Sequence, residues 1–140
     1  PSLLESSDFV SLHARLTAES RGMLGATQFA AMRKGACFVN TARAELIDEQ
    51  ALIDALASGR VAGAALDIST PSPDLGRHPL LAFPNVVIVP HVGGSSYETL
   101  YRGGELAAAE IERFDAGLPL VNVANRTALE AARAASGASR

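Results

Sequence analysis

The sequence is poor in the features that would settle a function quickly. It has one cysteine, Cys37, which excludes a disulfide framework or a cysteine-based metal site within the chain and points to a reducing compartment. No apolar run approaches the roughly 20 residues that a membrane span requires, so a soluble protein is expected. Lys and Arg number 12 against 15 Asp and Glu, a net charge of −3 without a basic block, so the footprint of a nucleic-acid binder is missing. His, Asp and Glu do not converge at ligand spacing, and no metal is expected. A G-x-S-x-G elbow, a P-loop and a G-x-G-x-x-G turn are all absent. There is no internal repeat, and no targeting segment is expected. Pro1 is followed within a few residues by a strand pattern, so the start is expected to lie inside a domain.

What is present is an ordinary globular balance. The 140 residues are 48% apolar and 19% charged, enough for one domain with a core. Strand-like and helix-like segments alternate. "DFVSLH" (Asp8 to His13), "ACFVN" (Ala36 to Asn40), "GAALDI" (Gly63 to Ile68) and "VVIV" (Val86 to Val89) read as short strands. They are apolar on both faces, as when helices cover both sides of a parallel sheet. "GATQFAAMRKG" reads as a helix closed by Gly35. "DEQALIDALASG" reads as another, capped by Asp48, stopped by Gly59 and striped by Leu52, Ile53 and Leu56. Ser95 and Glu98 have capping-box spacing before a long helix that runs to about Ala116 and stops at Gly117. "LPLVNV" is a candidate short strand. The tail "ALEAARAASGASR" favours helix on propensity but offers little to bury, so fraying or disorder is expected. The architecture is doubly wound α/β. Pro71, Pro73, Pro79 and Pro84 make 69–85 a long loop, which in a compact domain is usually functional.

In open α/β sheets, ligands bind outside the carboxyl ends of the strands. Asn40-Thr41-Ala42-Arg43 follows one strand, Asp67 closes the next, and His91 follows the last in "VVIVPHVGGSS". An arginine, an aspartate and a histidine are thus brought towards one edge. Arg43 could instead be a solvated loop residue or pair with Glu45, and Asp67 could cap a turn. A lone histidine after a strand is more often structural. A packing or surface role is expected for His13 and His78, and a small core role for Cys37.

Taken in order, "SDFVSLHARLT", "FVNTARAELIDEQALIDALASGRVAGAALDI", "HPLL" and "PNVVIVPHVGGSS", with the long helix after them, resemble the D-isomer-specific 2-hydroxyacid dehydrogenases. Phosphoglycerate dehydrogenases and glyoxylate/hydroxypyruvate reductases belong to this group, and the likeness runs from about Ser7 to Asn125. It implies the C-terminal half of a Rossmann-type NAD-binding domain over 1–95, a connecting helix over 96–117, and a C-terminal segment over 118–140 whose end is disordered. By the same resemblance, Arg43 grips a substrate carboxylate, for which its planar fork is suited. His91 exchanges a proton with the substrate hydroxyl near neutral pH. Thr41, Ala42, Arg43, Asp67, His91, Val92, Gly93 and Gly94 contact NAD, with NADP not excluded, and Asp67 holds the nicotinamide carboxamide.

Two departures stand out. Ser72 occupies the position of the family's histidine-orienting glutamate, and a serine brings no charge to raise the imidazole's pKa. Asp74 is two residues further on. The glycine-rich turn that would hold the pyrophosphate is missing, together with most of a substrate domain. The implied partners are a small 2-hydroxy or 2-keto acid, the chain's own N-terminal part and a second copy in a homodimer. No nucleic acid or membrane is implied, and the implied location is the cytoplasm. An NAD(H)-binding sensor or corepressor-like protein without turnover is the alternative. Arg15 departs from a frequent proline beside the adenosine, and its charge could favour a phosphate.

Overall fold

Four short runs rich in valine, leucine and phenylalanine are the natural material of a buried parallel sheet, and they pair as one. A computed structural model describes residues 2–67 and 78–136. The chain divides into two compact units, Pro1–Gly93 and Gly94–Arg140. The first unit holds α1 (Ser2–Ser6), β1 (Phe9–Leu12), α2 (Ala26–Ala31), β2 (Ala36–Asn40), α3 (Glu49–Ala57), β3 (Val61–Leu66) and β4 (Val86–Ile88). The strands lie in the order β1-β2-β3-β4 and every neighbouring pair is parallel. Helices join the first three strands, so the fold is the α/β half-sheet expected of a Rossmann-like domain.

Register explains the core. Val10 lies beside Phe38, and Phe38 beside Ala64; all three are buried on one face. Phe29 of α2 meets Phe38 edge-on, with ring centroids 5.3 Å apart, a favoured aromatic geometry. From α3, Leu52 and Leu56 are buried with Ala51 and Ala55, whereas Ile53 is only half-buried. Each fully buried leucine contributes about 1.5–3 kcal/mol of transfer free energy. Asp48 caps α3, its carboxylate accepting from the Ala51 N–H at 3.2 Å.

Several boundaries differ from the sequence reading. The helix before β2 stops at Ala31 rather than at Gly35, because Met32 turns extended and buries its side chain. Gly35, at φ +83°, instead makes the turn into β2, where the Ala36 N–H reaches the Arg33 carbonyl at 3.0 Å. β3 begins at Val61, two residues early, and Ile68 lies outside the described residues. α1 was not anticipated. It is tied to the end of α2 by the Arg33 N–H donating to the Leu4 carbonyl at 2.9 Å. The two-sided cover expected of the apolar strands is met here on one side. Phe9 and Val87, on the opposite face, are 72% and 61% exposed. Cys37 is half-buried rather than a core residue.

The second unit contains α4 (Tyr97–Asp115) and α5 (Arg126–Ser136). Its cap is Ser96, not Ser95: the Ser96 hydroxyl accepts from the Thr99 N–H at 3.2 Å. The helix stops at Gly117 as expected. "LPLVNV" is not a strand, because its amides are taken by a side chain: Val121 and Asn122 N–H groups donate to the Glu110 carboxylate at 3.0 and 3.2 Å. The tail expected to fray is helical as far as Ser136, and 137–140 lie outside the described residues.

Candidate functional site

Parallel pairing puts all four strand carboxyl ends along one edge of the first unit. His13 follows β1, Thr41-Ala42-Arg43 follows β2, Asp67 follows β3, and the His91 turn follows β4. Because β3 lies between β2 and β4, the Arg43 and His91 turns stand two strand spacings apart, about 10 Å. They flank Asp67 along this edge.

Asn40, quoted in the sequence only as part of the turn, organises it. Its side chain is fully buried. The amide donates to the Arg43 carbonyl at 2.9 Å, and its oxygen accepts from the Ala42 N–H at 3.0 Å. The Asn40 carbonyl also accepts the Asp67 N–H at 2.9 Å, joining this turn to the next strand end. Asparagine suits this work because one short side chain supplies both donor and acceptor to nearby backbone. Arg43 is exposed and donates through Nη1 to the Ala42 carbonyl at 2.6 Å. It makes no ion pair with Glu45 among the described residues.

Asp67 is 8% exposed. Its two carboxylate oxygens accept the Val92 and Gly93 N–H groups, each at 2.8 Å. Charge-assisted bonds of this kind are roughly twice as strong as neutral ones. They pull the turn after β4 onto the end of β3. Close approach explains Gly93: a Cβ there would stand 2.5 Å from Asp67 Oδ2. The glycine therefore admits the chain's own carboxylate, a partner its sequence context did not reveal. Gly94 opens the second unit, and a Cβ at that position would meet nothing within 4 Å.

His91 sits between these constraints with φ +58°, the one non-glycine residue at positive φ among the described residues. Such a conformation costs of order 1–3 kcal/mol and persists only where the surroundings enforce it. Here the Asp67 clamp lies on one side. On the other, the His91 N–H folds back to the Val89 carbonyl at 3.0 Å. The imidazole is presented at the surface.

Arg43 lines a cleft of about 400 Å³ with His13, Ala14, Arg15, Leu16 and Ala42. Thr41 touches it through His13, Oγ1 lying 3.4 Å from Nδ1. His91 is outside that lining. His78, expected to pack or lie at the surface, is 4% exposed and forms a structural pair: Nε2 is 3.4 Å from Glu49 Oε2, while Nδ1 accepts the Leu80 N–H. Ser72 and Asp74 lie outside the described residues. Among those described, no group of three or more His, Cys, Asp or Glu could hold a metal ion, and no helix is long and apolar enough to cross a membrane.

Comparison with known proteins agrees with this geometry. Residues 1–93 match the family described as D-isomer specific 2-hydroxyacid dehydrogenase, NAD binding domain. A glyoxylate reductase of Korarchaeum cryptofilum is 42% identical over 124 residues, which are 89% of this chain and 37% of that protein. The chain thus spans little more than a third of that relative. Two solved structures superpose well. The NAD-complexed D-isomer specific 2-hydroxyacid dehydrogenase of Lactobacillus delbrueckii ssp. bulgaricus gives a TM-score of 0.81 at 30% identity, covering 89% of this chain and 41% of that one. The Xanthobacter autotrophicus Py2 enzyme of the same description, in complex with NADPH, gives 0.74 at 36% identity, covering 86% and 49%. A four-stranded parallel half-sheet, a charged carboxyl edge and this match lead to one statement: the chain belongs to the D-isomer specific 2-hydroxyacid dehydrogenases, through their NAD-binding domain.

Proposed function

We propose that this chain is the cofactor- and proton-handling part of an NAD(P)-dependent oxidoreductase that moves hydride between the nicotinamide ring and C2 of a D-2-hydroxy acid or its 2-keto acid. The observation that supports it is the adjacency of three strand ends, with Asp67 bonded to the two amides that follow His91. NAD(P), when bound, supplies the ring that accepts or gives the hydride. The residues fit such a group, since the open edge carries an exposed guanidinium and an exposed imidazole on anchored turns.

Arg43 spends one donor on the Ala42 carbonyl, its one side-chain bond among the described residues, and its fork has further donors for the substrate carboxylate and keto oxygen. During reduction His91 gives a proton to the oxygen on C2, and during oxidation it takes that proton back. Asp67 keeps the His91 turn in place and, with lone pairs to spare, offers an acceptor to a carboxamide. Thr41, Ala42, Val92, Gly93 and Gly94 complete the proposed cofactor contacts. Ser72 is assigned the place of a histidine-orienting carboxylate without its charge.

The remaining parts are proposed on the family's ground: an N-terminal portion bearing the glycine-rich turn and substrate domain, a homodimer, and a cytoplasmic location. The exposed Phe9 on edge strand β1 is where further strands would add. The sensor alternative gains no support, because the matched relatives are named as a reductase and dehydrogenases. The test is NADH and NADPH oxidation by the intact protein with glyoxylate, hydroxypyruvate and other 2-keto acids. Turnover that drops at least a hundredfold in both Arg43→Ala and His91→Ala supports the proposal. Binding of nicotinamide nucleotide without turnover on any acid would overturn it in favour of a sensor.

A further inference from the structure

A second recess lies away from the carboxyl edge, in the helix layer. It opens between α2 and α3 with a volume of about 360 Å³, within the range of roughly 300–1,000 Å³ usual for small-molecule sites. Buried Phe29, Ala51 and Ala55 line its depth, and exposed Ala26 and Ala30 its mouth. The two helices meet here with methyl groups rather than large side chains, so a groove remains between them. The other lining residues, Asp54, Ser58 and Arg60, are polar. Arg60 immediately precedes β3, at the amino end of the sheet. The length of β3 places it roughly 20 Å from Asp67, at about 3.3 Å per residue, so the recess is separate from the proposed reaction site.

The two charges in this recess do not satisfy one another. Asp54 and Arg60 both line it, yet they form no ion pair. Asp54 accepts Gln50 Nε2 at 2.8 Å on one carboxylate oxygen, which leaves acceptor capacity on both. Arg60 is half-buried, and its guanidinium has no hydrogen bond or ion pair to any described residue. The Ser58 hydroxyl donates to the Ala55 carbonyl at 3.1 Å and bridges neither charge.

An anionic acceptor and a cationic fork beside an apolar hollow call for a ligand with three matching parts. We infer that this recess binds an apolar α-amino acid. Its ammonium group meets Asp54, and its carboxylate takes the bidentate fork of Arg60. Its hydrocarbon side chain displaces water from Phe29 and the alanines. A neutral hydrocarbon would leave both charges unanswered, and a simple anion would face the Asp54 carboxylate. A second copy of the chain is a poorer occupant. Neither α2 nor α3 exposes a large hydrophobic residue, and stable protein interfaces centre on such residues. The site needs neither nicotinamide nor a keto acid.

The test uses the intact protein with leucine as the probe, read by the amide NMR signals of Ala30, Ala51 and Ala55. Saturable shifts are expected. Isocaproate, which lacks the ammonium group, and isoamylamine, which lacks the carboxylate, should each bind at least tenfold more weakly. Glycine keeps both charges without a side chain and should also bind at least tenfold more weakly. Arg60→Gln and Asp54→Asn, each checked by a matched thermal melt, should weaken leucine binding at least tenfold. Ala30→Leu, at an exposed helix position, should fill the groove and abolish the shifts. Asp54 is exposed, so Asp54→Asn decides even where Arg60→Gln fails to fold. Absence of any saturable shift with leucine would overturn the inference. So would affinities for leucine and its two analogues that agree within twofold, or an Asp54→Asn protein that binds like the parent. Shifts of the same amides that follow protein concentration and not leucine would give the groove to a second copy and overturn it too.

Discussion

Helices α3 and α4 show two ways for a helix to exist in one chain. α3 has nine residues and buries Ala51, Leu52, Ala55 and Leu56. α4 has 19 residues and buries none, leaving Leu100, Ile111 and Phe114 about two-thirds exposed or more. The shorter helix is held by its packing against a sheet. The longer one relies on length, its Ser96 cap and side-chain bonds to the loop that follows it, such as Arg113 Nε to the Pro119 carbonyl at 2.7 Å. Isolated helices shorter than roughly 12–15 residues are marginal in water, and α4 exceeds that length. Stability of the first unit is therefore tertiary, and that of the second is largely local.

The largest expected effect sharpens that contrast. Phe38→Ala removes a fully buried ring that contacts Phe29, and the first unit should lose about 3–5 kcal/mol. Ile111→Ala, on the exposed side of α4, should change stability by no more than about 0.5 kcal/mol. Urea unfolding of each variant measures both values. A comparable loss from Ile111→Ala would show that α4 is buried against a partner.

Next in size is Gly93→Ala. The new methyl would collide with Asp67 Oδ2, so the carboxylate must leave at least one of its two amide donors. A hydrogen bond to a charged group contributes about 1.5–3 kcal/mol, and a loss near 2 kcal/mol is expected. It should be accompanied by shifts in the Val92 and residue-93 amide signals. Unmoved amides would mean that the clamp is not what sets this turn.

Caps give a smaller and more even comparison. Asp48→Ala should cost about 1 kcal/mol, typical for a lost N-cap, and it should lower the cooperative melt of the first unit. Ser96→Ala removes the same kind of bond, but from a helix without a core. Its effect should appear as fraying in the far-ultraviolet circular dichroism rather than as a shifted melt. Equal melting shifts for both would contradict the division into tertiary and local stability.

The same division explains what could be read from sequence. Segments whose fate depends on a buried periodic face were legible. ACFVN was assigned at its observed limits, and Asp48, Gly59 and the Leu52–Leu56 stripe of α3 all stand where patterning put them. Positions decided by contacts distant in sequence were not. Met32 leaves helical geometry to bury its side chain, so the stop moved away from Gly35. Val121 and Asn122 bond to Glu110 on the preceding helix, and no local signal separates that from a strand. At the site, topology alone put Arg43, Asp67 and His91 at one edge. The structural duties of Asn40 and His78 appear only in three dimensions. For Asn40 a signal was available, since an asparagine at a strand end before a tight turn often bonds its own backbone.

Glu110 offers the smallest effect and the most local test. Slight burial works against its charged form, but the Val121 and Asn122 amides, the Asn122 side chain and the Arg113 charge together hold its carboxyl below the ordinary glutamate value. A carboxyl lowered in the folded state adds stability that is complete above its unfolded value of about 4.3. That stability is lost as pH falls through the lowered native value. The loop after α4 should therefore loosen in acid below about pH 4.3. Amide chemical shifts of Val121 and Asn122 followed down in pH report the transition directly. In Glu110→Gln one acceptor oxygen remains but the titration should vanish. The same midpoint persisting in that variant would assign the acid transition to another group.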